Sequence, residues 1–419
     1  MDKGKDFEVK SLALAEDGRK NIEWAETQMG ALMRVRERFA KERPLKGARI
    51  GLALHVTKET AVLVRTLIAG GAEVAITGCN PLSAQDDVCA AMAKDQVRIW
   101  AYKGESKEDY YRFISNVISF RPNITIDDGC DLVYEIHKNH PDLIKNIWGG
   151  CEETTTGVIR LKAMERDKAL KYPIIAVNSS NTKHLMDNIK GTGQSTIDGI
   201  IRATNILLAG KNFVICGYGN CGKGLAQRAR GMDANVIVTE VDPFRALQAV
   251  MDGHRVMPMS EAAKQGDIFV TVTGNKKIIR PEHFKAMKDG SILANSGHFD
   301  VEIDLEGLDK MSVKRRVRPY LDEYSMGGKR LYVAGEGRLV NLAAAEGHPS
   351  AIMAMSFVNQ AFACEYIAKN KGKLRPGIHT LPEEMDRDVA RLQLEAMKIR
   401  IDRLEDFQEK YLQSWEEGT

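Results

Sequence analysis

The sequence has no long apolar run, and no stretch approaches the roughly 18 residues of a membrane-spanning helix. The charged start, Met1–Asp6, is not followed by an apolar segment, which argues against a secretory signal. Net charge is nearly absent. Sixty lysines and arginines face 57 aspartates and glutamates, leaving +3, so nothing points to a nucleic-acid partner or an anionic membrane. No C-x-x-C occurs, and the seven cysteines are odd in number and scattered. That excludes a disulfide framework and a structural zinc site, and no metal is expected. Reduced thiols predict a cytoplasmic protein.

What is present is length and pattern. At 419 residues the chain exceeds one ordinary core, and two large domains are expected. Residues 7–43 read as helical. Ala48–Val56 reads as a strand, Lys58–Ala69 as a helix and Ala72–Gly78 as a strand, with further strands at Val97–Tyr102 and Ile124–Asp128. A second alternation runs from Asn212–Cys216 through the helix Lys223–Met232 to strands at Asn235–Glu240, Ile268–Thr273, Ser291–Asn295 and Leu331–Ala334. Strands alternating with helices predict an α/β fold of two doubly wound, Rossmann-like domains. Residues 188–193, with Gly191 and Gly193 close together, read as a linker, and the last 40 residues as an amphipathic helical tail.

Gly217-x-Gly219-x-x-Gly222 lies between a predicted strand and a predicted helix, the context that gives this pattern meaning. The first glycine makes a tight turn, the second lets a pyrophosphate approach the backbone, and the third allows close helix–strand packing. The helix N-terminus stabilises the phosphate charge. Glu240 ends the next strand, 18 residues after Gly222. A carboxylate there accepts from both ribose hydroxyls and repels a 2′-phosphate, which favours NAD over NADP.

Several longer strings carry a family resemblance. Asp127-Asp128-Gly129, Glu152-Glu153-Thr154-Thr155-Thr156-Gly157, Gly297-His298-Phe299-Asp300, Gly335 to Asn341, and Gly347-His348-Pro349-Ser350 occur in this order. With their spacing, the sequence resembles the S-adenosylhomocysteine hydrolase family from about residue 8 to about residue 412. The resemblance implies a small nucleoside thioether substrate and a homotetramer in one-carbon metabolism. It also implies reversible hydrolysis by transient NAD-dependent 3′-oxidation, C4′ deprotonation, elimination and water addition. The implied domains are 1–187 with 350–380 for substrate and 188–349 for NAD, with 381–419 as the tail.

The resemblance also implies residue roles. Lys183 and Asp187 match the pair at the 3′-hydroxyl; alone they read as a helix-surface ion pair. A lysine acts as a base only if its pKa is lowered. His55 and Asp131 match the acid–base groups around C4′ and C5′, Glu153 a ribose ligand, and His298 the histidine near the 3′ oxygen. Thr57 and Glu59 match the purine end, and His348 a gate near the adenine edge. Thr154, Thr155, Thr156, Asn188, Thr273, Asn275, Asn295, Gly297, His298 and Asn341 match NAD contacts, beside Gly217, Gly219, Asn220, Gly222 and Glu240.

Glu59 is an acceptor suited to the amino group of adenine, so the adenosyl substrate is expected over the inosyl one, the alternative within the family. Lys58, one residue away on a helix, reads as solvated. Three positions depart from the family pattern: Thr192 for cysteine, Ser179 for aspartate and Glu346 for methionine. The Lys/Tyr-rich ending of longer members is missing, which implies weaker NAD retention. Two other classes share parts of this pattern. A net dehydrogenase would share the glycine loop, and a non-catalytic NAD-binding regulator would share the fold.

Overall fold

The computed structural model describes residues 1–416 and 418; Glu417 and Thr419, within the expected tail, lie outside the described residues. Two sheets organise the chain. The first has nine strands in the order Asp2–Gly4, Phe7–Val9, Arg98–Trp100, Glu73–Thr77, Arg49–Ala53, Ile124–Asp127, Gly149–Glu152, Pro173–Ala176 and Gly377–His379. All neighbours are parallel except the first pair. The second has eight strands, in the order Arg255–Val256, Asn235–Thr239, Asn212–Cys216, Ile268–Thr271, Ser291–Asn295, Lys329–Ala334, Leu321–Met326 and Val313–Arg318. Its first six strands are parallel and the last two antiparallel.

Parallel strands covered by helices on both faces read as near-continuous apolar runs. Accordingly Ile50, Leu52, Ile124 and Ile126 in one sheet, and Phe213, Val214 and Ile215 in the other, are fully buried. In each sheet the order of the parallel strands switches direction beside the cleft. The reversal falls between Arg49–Ala53 and Ile124–Asp127 in the first, and between Asn212–Cys216 and Ile268–Thr271 in the second. Such switch points leave a crevice at the carboxyl ends of the strands. His55 and Asp128 follow the first pair of strands, Gly217 and Thr273 the second.

The helix Ser350–Lys369 brings the chain back to the first sheet. It is buried on nearly all sides and packs against the helices Gly30–Glu42 and Lys58–Ala69. Gly377–His379 then adds the last strand.

Three expectations are corrected. Residues 7–43 are not all helix: Phe7–Val9 is a strand paired with Arg98–Trp100, and the helices Ala15–Gln28 and Gly30–Glu42 meet at a break at Met29. The antiparallel strands Val313–Arg318 and Leu321–Met326 are additional. Val313–Arg318 is an exposed, basic edge strand whose sequence has no core face to betray it. Residues 188–193 are not a loose linker. Asp187–Gly191 is a short π-helical segment that runs into the helix Thr192–Thr204, and Gly191 and Gly193 are buried. A Cβ on Gly193 would meet the Gly224 carbonyl oxygen at 2.5 Å, and a Cβ on Gly224 would meet the Ile189 oxygen at 1.8 Å. These glycines serve close backbone approach.

Gly224→Ala should therefore destabilise the fold by about 1–3 kcal/mol, because the obstruction is backbone and cannot swing away. Thermal unfolding of the variant reads this; an unchanged midpoint would refute the close-packing role.

Candidate active site

Both crevices open into one cleft of about 1570 Å³. That exceeds the ~300–1,000 Å³ of a typical single-ligand pocket, which leaves room for two ligands. His55, Thr57, Glu59, Asp128, Glu153 and Lys183 line one part. Gly217, Gly219, Asn220, Glu240, Thr273 and Asn275 line another. Thr154, Thr155, Thr156, Asp187, Asn188, Gly297, His298, Asn341 and His348 complete the wall.

Lys183 sits at the centre, on the short helix Asn181–His184, and is buried. Its Nζ donates to Asp187 Oδ1 at 3.0 Å and Asn188 Oδ1 at 2.9 Å, and lies 3.4 Å from Glu153 Oε1. Asp187 Oδ2 accepts from Ser356 Oγ at 2.8 Å, and Glu153 Oε2 accepts from Gln360 Nε2 at 2.5 Å. Both donors come from the returning helix Ser350–Lys369. Burial alone would lower the Lys183 pKa, but the Asp187 and Glu153 charges outweigh it and hold the ammonium above its ordinary range. Burial likewise opposes ionisation of Asp187, but Lys183 and His348 outweigh it and hold that carboxyl low. Glu153 is pushed up to about 7, chiefly by burial.

A second cluster spans the two sheets. His55 Nε2 and His298 Nδ1 each lie 3.5 Å from an Asp128 oxygen. The three ligand atoms fall within 4.8 Å of one another, a metal-like spacing the sequence did not announce. His55 Nδ1 also contacts Ser83 Oγ at 2.8 Å and Cys79 Sγ at 3.2 Å. Burial lowers the His55 pKa to about 4. Gly129 allows this approach: its φ is +108°, and a Cβ there would meet His298 Nε2 at 2.2 Å.

The glycine loop fits a dinucleotide. The helix Asn220–Arg230 starts at the cleft. A Cβ on Gly219 would project into open space, its nearest neighbour an Arg245 nitrogen at 3.8 Å, whereas Gly222 packs against the Gly217 carbonyl. Glu240 accepts from the backbone N–H of Tyr218 and Val241, each at 2.7 Å, which fixes the carboxylate at the cleft wall. The Asn341 Oδ1 is buried with no partner among the described residues, an orphan acceptor beside the cleft.

A sequence model of S-adenosyl-L-homocysteine hydrolase matches residues 6–141, and one of that enzyme's NAD binding domain matches residues 188–347. A protein named adenosylhomocysteinase from Aquifex aeolicus (strain VF5) is 59% identical over 417 residues, covering 99% of this chain and 100% of that one. The chain belongs to the S-adenosylhomocysteine hydrolase family. The adenosylhomocysteinase of Saccharolobus solfataricus is 58% identical over 416 residues, again 99% of this chain and 100% of the relative. A relative from Methanocaldococcus jannaschii, named S-inosyl-L-homocysteine hydrolase, is 54% identical over 414 residues, with the same coverage.

Within this family frame the structure departs from the sequence reading at several residues. Asp131 does not line the cleft; it accepts from Tyr110 Oη at 2.8 Å and Arg160 Nη1 at 2.6 Å, and Asp128 faces the cleft instead. Asn295 does not line it either. Its amide donates to the carbonyls of Gly297, Phe299 and Gly337, so it braces the loop around His298. His348 lines the cleft and lies 3.3 Å from Asp187 Oδ1 and 3.4 Å from Thr192 Oγ1. Lys58 is buried, not solvated, and its Nζ pairs with Glu346 at 2.9 Å. Lys183 carries a raised pKa, where a base needs a lowered one.

Sequence reasoning also missed the bracing acids. Glu152 Oε1 accepts from the N–H of Gly129 at 2.9 Å and Thr154 at 3.0 Å, and Glu302 accepts from Thr273 and Gly274. Glu152 stood in a quoted string, but nothing in its spacing separates a buried brace from a ligand.

His55 stays neutral in the fold down to about pH 4, whereas the unfolded imidazole takes its proton near 6.5. Between those values the unfolded chain binds the extra proton, so His55 costs stability progressively as pH falls and nothing above 6.5. His55→Asn should remove about 1–2 kcal/mol of the stability lost between roughly pH 7 and pH 5. Denaturant unfolding at both pH values measures it; equal losses in the two proteins would contradict the neutral ring.

Proposed function

We propose that this chain catalyses the reversible hydrolysis of S-adenosyl-L-homocysteine to adenosine and L-homocysteine, with NAD as its resident cofactor. The observation that carries the reading is the junction of the two crevices at Lys183, where a buried amine, two carboxylates and the glycine loop share one cleft. The relatives named adenosylhomocysteinase, 59% and 58% identical over nearly the whole chain, support the same activity.

Residues 188–349 hold NAD. Gly217, Gly219 and Asn220 take the pyrophosphate, Gly222 lets the helix pack closely beneath it, and Glu240 takes a ribose. Thr154, Thr155, Thr156, Asn188, Thr273, Asn275 and Asn341 serve the nicotinamide end. The open space over Gly219 and the unpaired Asn341 Oδ1 favour this assignment. When bound, NAD supplies a reversible hydride acceptor for the 3′ carbon of the nucleoside.

Residues 1–187 with 350–380 hold the nucleoside. Thr57 and Glu59 take the purine; Glu153, Lys183 and Asp187 take the ribose hydroxyls. Lys183 accepts the 3′-hydroxyl proton. The protein alone keeps it charged, so a positive charge arriving in the cleft is what favours its neutral form. His55, kept neutral by burial, takes and returns protons at C4′ and C5′, while Asp128 stabilises whichever ring, His55 or His298, is charged. Burial of Lys183, Asp187 and Glu153 keeps water from the oxidised sugar.

We further propose a homotetramer in the cytoplasm. The exposed Phe407, Leu412 and Trp415 of the tail suit packing on a second copy.

Lys183→Met should lower homocysteine release from S-adenosyl-L-homocysteine at least about 10²-fold, read with a thiol reagent. The wild type should build up no reduced nicotinamide in the steady state. A fully active variant, or net cofactor reduction, would sink the reading. Gly219→Val should weaken NAD binding about tenfold or more with little change in unfolding temperature, since the added side chain meets cofactor space and not protein. Cofactor titration by calorimetry tests it, and unaltered affinity would move the pyrophosphate elsewhere.

A further inference from the structure

Lys58 is in an electrostatically poor place. It opens the helix Lys58–Ala69, where the helix dipole disfavours a cation, and it is 8% exposed. Its neighbour Glu59 is more deeply buried still. Two carboxylates answer the Lys58 charge, Glu59 beside it and Glu346 from the other sheet's side of the cleft. Glu346 Oε2 accepts from Lys58 Nζ at 2.9 Å, while Glu59 Oε1 lies 3.5 Å from the same nitrogen. Gln85 ties the arrangement: its Oε1 accepts from the Lys58 backbone N–H at 2.9 Å, and its Nε2 donates to the Glu346 carbonyl at 3.4 Å. Arg202 braces Glu346 from behind at 3.3 Å.

Glu59 Oε1 is further engaged by the Ser350 hydroxyl at 2.5 Å. No protein donor among the described residues reaches its Oε2, and Glu59 lines the cleft. A free carboxylate oxygen accepts from a 6-amino purine and repels the oxygen of a 6-oxo purine. An ammonium has the opposite preference, since it offers three donors and no acceptor. Both groups sit here within 3.5 Å, so the purine choice turns on which one is free.

We propose that Glu346 is a specificity-determining residue, which keeps the cleft selective for 6-amino purines by holding the Lys58 ammonium away from the purine edge beside Glu59. The proposal rests on the reading that Glu59 faces the purine. With Glu346 in place, the ammonium is engaged outside the purine site and the free oxygen of Glu59 sets the preference. Without it, Lys58 turns to the purine, donates to a 6-oxo group, and Glu59 accepts the N1 proton of that same ring.

The test compares kcat/KM for S-inosyl- and S-adenosyl-L-homocysteine in the NAD-loaded enzyme. Glu346 is half-exposed in its side chain, so Glu346→Gln should fold. The inosyl-to-adenosyl ratio should rise roughly tenfold in Glu346→Gln and stay within about twofold of its parent when the same change is made in a Lys58→Met background. A ratio unmoved by Glu346→Gln, or one that rises equally without Lys58, overturns the proposal. Glu59→Gln separates the two levels. If it shifts the ratio while Glu346→Gln does not, the purine reading stands and the Glu346 role fails. If it leaves the ratio untouched, the purine reading itself fails and takes the proposal with it.

Discussion

Burying an ammonium costs several kcal/mol unless its charge is answered in place, and Lys183 is answered twice, by Asp187 and Glu153. Those carboxylates need partners of their own. Ser356 and Gln360 supply them from the helix Ser350–Lys369, so the ion cluster requires the chain to leave the first sheet, build the second and come back. The route of the backbone and the charge of the site are one constraint. The same cluster explains why a lysine in so dry a place keeps its proton in the protein alone.

The second organising feature is the pairing of two switch points. Each parallel sheet leaves its crevice where the strand order reverses, and the two crevices face a common cleft. His55 and Asp128 leave one sheet, and His298 leaves the other. They come close only because Gly129, with its positive φ, leaves room for an imidazole. Close approach also governs Gly193 and Gly224, where helices meet backbone to backbone.

Much of this was legible in the sequence because it depends on local rules. The glycine loop after an apolar strand, the acid ending the next strand and the helix from Lys58 each follow from neighbours in the chain. What escaped depends on partners far away. Phe7–Val9 is a strand because Arg98–Trp100 is beside it. Asp131 and Asp128 are three residues apart and carry the same side chain, yet Arg160 takes one and the two histidines surround the other. Lys58 looked solvated because its counterion, Glu346, stands 288 positions away. Glu240 was read as a ribose acceptor and lies at the cleft wall, but its hold on the backbone was not foreseeable from spacing.

The returning helix also orders events during synthesis. Strands from residue 49 to residue 176 emerge early, yet the element that fills their core spans Ser350–Lys369, and the edge is closed by Gly377–His379. The intervening unit has its complete sheet by residue 334. A nascent chain leaving the ribosome can thus finish its inner domain while the outer one still shows an apolar face, the kind of surface chaperones bind. The outer domain reaches its native core only in the last tenth or so of translation.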